Sequence, residues 1–308
     1  MASATLLLPA RTRFAGQPLP AALALALARA DSSSGEAGVA AQLRRHFQLL
    51  PDHWPVAALT RQRDAADAEN STWLRAEPAH VAPDRGGARM LSYGDALGLD
   101  AEDTVQLLPA LKPLFGDAGF TLDAPRPARW YLRLPREARL PVFAAPEDVL
   151  GDDLFAHLPE AELGRRWRAL LNEAQVILHN HPWNAQRMAA GKPSVNSLWF
   201  WGAGVLPDAV RSRYRQVKSK DALVQALAGA AGVVEGTADG QEVDALVDLR
   251  HLRSLDTLDQ EAVQPLLQAL ERRELEMLVL DFEDGAGFSV RRGQRWRFWR
   301  RPLASLSA

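Results

Sequence analysis

Apolar positions recur along this chain at two spacings, helical and alternating, and the order in which the spacings follow one another predicts its elements. "TLLLPA", from Thr5, predicts a short buried strand, and "LPAALALALARA" behind it a helix. "DSSSGEAG", Asp31–Gly38, predicts a loop. "VAAQLRRHFQLL" predicts a second helix, with Val39, Leu43, Phe47 and Leu50 on one face and Pro51 and Pro55 ending it. From about Asn70 apolar and polar residues alternate. "STWLRAEPAHVAPDRGGARMLSY" predicts strand–turn–strand, and "RWYLRLP" a strand with Trp130, Leu132 and Leu134 on one face. "DAEDTVQLLPALKPLFGDAGF" predicts a helix between them, closed by Gly116 or Gly119.

The clearest stripe runs from Glu160 to His179. Leu163, Trp167, Leu170, Leu171, Ala174, Ile177 and Leu178 share one helical face, and Pro182 ends it. "SVNSLWFWGAG" then predicts a strand, forming a joint between that helix and a central strand, and "SKDALVQALAGAAG" a helix capped by Ser219. "EVDALVDLR", "LDQEAVQPLLQALERRELE" and "EMLVLDF" predict strand, helix and buried strand. "GFSVRRGQRWRFWRR" predicts a closing hairpin. Strands and helices alternate at both ends around a β-rich block. The expected class is α/β: a mostly parallel sheet with helices on both faces, formed by residues 1–68 and 156–308 and interrupted by an inserted α+β domain at 69–155.

Composition narrows the function classes. The 308 residues are 47% hydrophobic and 24% charged, an ordinary globular balance. A net charge of -2 offers no general attraction to nucleic acid or anionic lipid, and no apolar run approaches the ~18 residues of a membrane span. Without cysteine there are no disulfides, thiolate metal sites or cysteine nucleophiles. Arg11 and Arg13 before an Ala-Leu run imitate a signal peptide, but the preceding strand favours a folded start. A cytoplasmic protein is expected.

One stretch carries a resemblance. "LLNEAQVILHNHPWNAQRMAAGKPSVNSLWFWGAGVLP" resembles a segment of the archaeal-type cofactor-independent phosphoglycerate mutases, in which a helix ends in His-Pro-x-Asn-x-x-Arg and a strand with an Ala-Asn pair leads into Arg-Gly-Ala-Gly. The matching positions are His181, Pro182, Asn184, Arg187, Asn196, Gly202, Ala203 and Gly204. "LRAEPAHVAPDRGGARM" and "RWYLRLP" are similar to the mutases' inserted domain, and "GTADGQEVD" and "LVLDFEDGAGF" to later segments. The chain also looks like a bacterial group called regulatory protein RpfE. The resemblance spans most of the chain and implies an alkaline-phosphatase-like fold with two-metal phosphoryl transfer and a serine nucleophile.

That chemistry needs about six Asp and His ligands holding two ions ~4 Å apart. The family's Asp-Gly at the end of the first strand is replaced by Pro9 and Arg11, and a cation there repels a metal ion. Asp52-His53, the sole Asp-His pair, lies early and away from a strand end; Phe288 stands where a late histidine would fall. Trp201 takes the place of the mutases' arginine. His179 and His181 form a His-x-His at a helix end, and Ser32–Ser34 have no companion base. No metal and no cofactor are expected.

The candidate ligand-binding residues are His181, Asn184, Arg187 and Asn196, which together suit an anionic small molecule, with Arg85 in the "DRGGAR" turn and Arg133 beside it. A structural role competes at each: Asn196 satisfying a strand edge, His181 capping a helix, Trp199 and Trp201 in a core. The tail "RRGQRWRFWRRP" holds six arginines and three aromatics and suits a protein partner on an edge strand better than nucleic acid. Three functions follow: a catalytically degenerate regulatory or ligand-binding module on the mutase scaffold, an active mutase or phosphatase with unusual ligands, or a protein-interaction scaffold.

Overall fold

A computed structural model describes residues 2–84, 87–236 and 244–306. It divides into two compact units, one formed by Met1–Asp52 with Asp208–Ala308, the other by His53–Pro207. No described helix is long and apolar enough to cross a membrane.

The first unit begins with β1 (Ser3–Leu8), α1 (Ala21–Arg29), β2 (Asp31–Ser34), α2 (Val39–Arg44) and β3 (Phe47–Leu50). The second holds α3 (Val56–Ala65), β4 (Thr72–Asp84), β5 (Gly87–Tyr93), α4 (Ala101–Asp117), β6 (Thr121–Arg126), β7 (Arg129–Leu134), α5 (Pro146–Val149), α6 (Ala161–His179), α7 (Trp183–Ala189) and β8 (Ser197–Gly204). The chain then returns to the first unit through β9 (Ala209–Ser212), β10 (Gln216–Lys218), α8 (Ala222–Ala230), β11 (Val234–Glu235), β12 (Ala245–Asp248), α9 (Leu255–Leu258), α10 (Gln264–Glu271), β13 (Met277–Phe282) and β14 (Ala286–Arg291).

Among the described residues the first unit forms a seven-stranded sheet, ordered β11-β10-β12-β1-β13-β14-β2. β1 lies at its centre, parallel to β12 on one side and β13 on the other, which explains its unbroken apolar run. β14 and β2 add antiparallel strands at one edge. Leu6, Leu8, Leu278, Leu280 and Phe282 join Leu23 and Leu27 of α1 and Leu270 of α10 in one core. The α/β class holds, with a mostly parallel sheet.

The second unit is built on an antiparallel sheet. β4 is long enough to pair β7 near its start, β5 near its end and β8 along its other side. Leu74, Ala76, Leu198 and Phe200 of that sheet pack with Leu107 and Leu111 of α4 and with Trp167, Leu171 and Ala174 of α6. Beneath another part of the sheet Arg75 and Glu77, both under 5% exposed, form an ion pair of 2.6 Å, and Trp201 donates its indole N–H to Glu77. Burial pushes the Glu77 carboxyl up, against the pull of Arg75.

Several expectations are corrected. The unit boundaries fall at 52/53 and 207/208, not at 68/69 and 155/156, because α6 and β8 complete the antiparallel sheet's core. β8 is therefore no strand of the parallel sheet. The second helix stops at Arg44, and Phe47–Leu50 becomes a strand paired with β9. The serine tract at Asp31–Ser34 is an edge strand against β14 rather than a loop. The expected C-terminal hairpin is absent among the described residues. β14 ends at Arg291, a single 3-10 turn covers Arg292–Trp296, and Trp296, Phe298 and Trp299 are exposed. Ser219 does not cap α8; Asp221 accepts from the Leu223 and Val224 amides.

Candidate functional site

In an open parallel sheet, ligands sit outside the carboxyl ends of the strands, where loops diverge. In the first unit these ends carry Ser219 after β10, Asp248 closing β12, Arg250 behind it, and Asp281, Glu283 and Asp284 at the end of β13. The Leu249 amide donates to Leu7 and the Glu283 amide to Leu8, so the loops after β12 and β13 both leave from beside the end of β1. Acids that close apolar strands thus converge on one rim.

Each of these aspartates is engaged by an arginine. Arg250 grips Asp248 bidentately, Nε to Oδ1 at 2.9 Å and Nη2 to Oδ2 at 2.7 Å, while the Ser219 hydroxyl donates to Oδ2 at 2.8 Å. Burial alone would raise the Asp248 carboxyl; the guanidinium outweighs it and holds the group below the usual carboxylate range. Arg11 holds Asp284 through Nε at 2.8 Å, and its own amide also donates to that carboxylate. The cation at the end of β1 therefore has an acid opposite it.

Asp281 is also buried. Arg45 donates to both its oxygens, at 3.1 and 2.8 Å, and His46 Nε2 lies 2.5 Å from Oδ2. His46 Nδ1 meets the Tyr214 hydroxyl at 2.8 Å, which donates onward to Thr5 at 3.1 Å. Gln42 anchors this side by donating to the carbonyls of Leu8 and Asp281. Burial raises the Tyr214 phenol, so it stays protonated.

A two-metal centre needs carboxylate oxygens free to bind cations. Here Asp248 and Asp281 offer both oxygens to guanidinium groups, and Asp284 gives one to Arg11 and the other to the Ala286 amide. Among the described residues no three His, Cys, Asp or Glu side chains cluster as a metal site. As paired here, these three described aspartates do not leave the free oxygens that a metal pair would need.

The sequence-derived candidates that the structure describes lie in the second unit. Asn184, buried, donates to the carbonyls of Leu178 and Val195 and accepts from the Val195 amide, tying the end of α6 to the approach of β8. Arg187, also buried, donates to the carbonyls of Pro193 and Leu97 and pairs with Asp103 at 2.5 Å. Asp103 also accepts from the Trp183 indole and completes the capping box of α4, and its hydrogen bonds outweigh burial to keep it below the usual range. Asn196 presents its amide to both backbone groups of Val81, as a strand residue would. The ring of His181 accepts from the Trp183 amide at the start of α7. Arg133 lies apart on β7, bonded to Ser71 and lining an open cavity with Arg61, Lys112, Asp67 and Asp123. Arg85 lies outside the described residues. Phe288 packs edge-on to Phe282.

Comparison with known proteins gives these observations a context. The chain is homologous to 2,3-bisphosphoglycerate-independent phosphoglycerate mutases. It is 28% identical over 215 residues, 70% of this chain and 52% of the relative, to a probable enzyme of that description from Geobacter sulfurreducens. It is 27% identical over 142 residues, 46% of this chain and 34% of the relative, to the one from Methanosarcina mazei. The chain thus spans about half the length, or less, of these relatives. Among solved structures it is similar to a cofactor-independent phosphoglycerate mutase from Thermoplasma acidophilum, with a TM-score of 0.42 and 16% identity over 94% of this chain and 89% of that one. A protein from Pyrococcus horikoshii gives a TM-score of 0.46 and 12% identity, over 94% and 87%. No family model matches the chain.

Residue patterns missed Asp248, Arg250, Ser219, Arg45 and His46 as a rim. One signal was present: an aspartate closing an apolar strand, in "ALVD" and again in "LVLD". Their partners come from distant loops, which no spacing reveals.

Proposed function

We propose that this chain is a catalytically degenerate member of the phosphoglycerate-mutase-like group, of the kind called RpfE, that serves as a regulatory or ligand-binding module. The observation that carries this reading is the pairing of Asp248, Asp281 and Asp284 with Arg250, Arg45 and Arg11. Fixed guanidinium charges take up the carboxylates that a metal pair would need, so the rim keeps its shape and loses the donors for phosphoryl transfer. Inherited folds commonly outlive their chemistry.

The homology over 70% of the chain favours a second reading, an active mutase or phosphatase with rearranged ligands. Metal content and turnover of 3-phosphoglycerate and a generic phosphate ester, with manganese and zinc supplied, separate the two. The degenerate reading expects no stoichiometric metal and no turnover. Near-stoichiometric metal, with turnover abolished in Asp281→Ala, establishes the second. The exposed Trp296, Phe298 and Trp299 favour a protein partner as the target of the regulatory role.

A further inference from the structure

At the other end of the first unit's parallel strands lies a partly open cavity of about 240 Å³ lined by α1, α10, β14 and the turn after it. Arg291 pairs with Met277, the first residue of β13, which places the cavity at the strands' N-terminal ends, opposite Asp248 and Asp284. Its walls are apolar: Leu25 and Ala26 of α1, Leu267 and Leu270 of α10, and Val290 of β14. Its polar lining is mainly cationic, with Arg29, Arg291, Arg292 and Arg295 against the single carboxylate of Glu271.

The charges there are unbalanced for a specific reason. Asp31, the acid on the neighbouring edge strand, spends its oxygens on Arg291, Arg297 and Gln294. Arg29, Arg292 and Arg295 have no carboxylate within 4.0 Å among the described residues. The Nε atoms of Arg29 and Arg292 are also buried without a hydrogen-bond partner there. Unmet buried donors are costly, and guanidinium groups beside an apolar wall answer to an anion that carries an apolar body. The volume lies below the ~300–1,000 Å³ of sites for drug-sized ligands, so the ligand is small.

We propose that this cavity binds a small amphipathic carboxylate, its head group held by Arg29, Arg292 and Arg295 and its hydrocarbon part lying against Leu25, Leu267 and Val290. The cavity shares none of the rim residues, so the proposal stands or falls separately from the loss of metal chemistry.

Titration calorimetry of the full chain with octanoate tests it, with acetate and octan-1-ol as partial ligands. Octanoate is expected to saturate one site. Acetate and octan-1-ol are expected to bind at least about tenfold more weakly, as are octanoate to Arg292→Gln and to Ala26→Phe, which fills the cavity. Thermal melts establish that each variant is folded. Should Ala26→Phe not fold, Arg295→Gln, altered at an exposed side chain, carries the same comparison. Equal binding of octan-1-ol or acetate, unchanged affinity in folded Arg292→Gln, or no saturation by octanoate overturns the proposal.

Discussion

Arginine decides the character of both units, one residue at a time. At the strand-end rim Arg250, Arg45 and Arg11 claim the aspartates; inside the second unit Arg187 and Arg75 claim Asp103 and Glu77. The Arg75–Glu77 pair gives the sharpest test of what such burial costs. Truncating one member of a buried pair leaves the other charged and unsolvated, at about 3–5 kcal/mol, whereas replacing both by apolar residues of similar volume is often neutral or stabilising. Arg75→Ala is therefore expected to lower the urea midpoint strongly, and Arg75→Met with Glu77→Leu to restore most of it. A double variant as unstable as the single one would show that packing, not charge, holds this spot. Arg187 teaches the related lesson for reading sequences: a buried arginine in a family-like motif served Pro193, Leu97 and Asp103, while the pattern alone suited an anion equally well.

At the scale of elements, "WFWGAG" shows why β8 ends as it does. Gly202 has φ +67°, and a Cβ there would lie 2.9 Å from Val56 Cβ; at Gly204, φ +152°, it would lie 2.6 Å from Pro55 Cβ. The two glycines let the strand end press against the start of α3. Gly202→Ala combines a left-handed backbone with that clash, so a loss of about 1–3 kcal/mol is expected, read from chemical denaturation. Ala203→Gly, lacking both features, is the control and should cost less. The helices were the most legible elements. α6 was expected at 160–179 and spans Ala161–His179, since its stripe alone specifies period and length. Short strands were the least legible. Phe47–Leu50 continues a helical spacing, and only pairing with β9 turns it into a strand.

For the molecule as a whole, the division into units is itself a prediction. The second unit holds its complete sheet and a core from α4, α6, β4, β7 and β8. Residues 53–207 expressed alone are expected to melt cooperatively, with native-like circular dichroism. Residues 69–155 lack β8 and α6, so Leu74 and Ala76 keep α4 but lose Trp167, Leu171, Ala174, Leu198 and Phe200 from their core, and the piece is expected to give no cooperative transition. A cooperative melt from the shorter piece would restore the boundary drawn from sequence texture.

By itself the sequence determined what depends on neighbours along the chain: the α/β alternation, the apolar β1 and β13, the long α6, and the Pro9 and Arg11 that follow the first strand. Periodicity and residue type act over a few positions, so they are readable there. Only the tertiary structure decided which sheet β8 joins, where the units part, and which arginine meets which acid. Arg45 and Asp281 stand 236 positions apart, and Arg11 and Asp284 stand 273. Ion pairing is set by distance in space, and spacing along the chain carries no record of it.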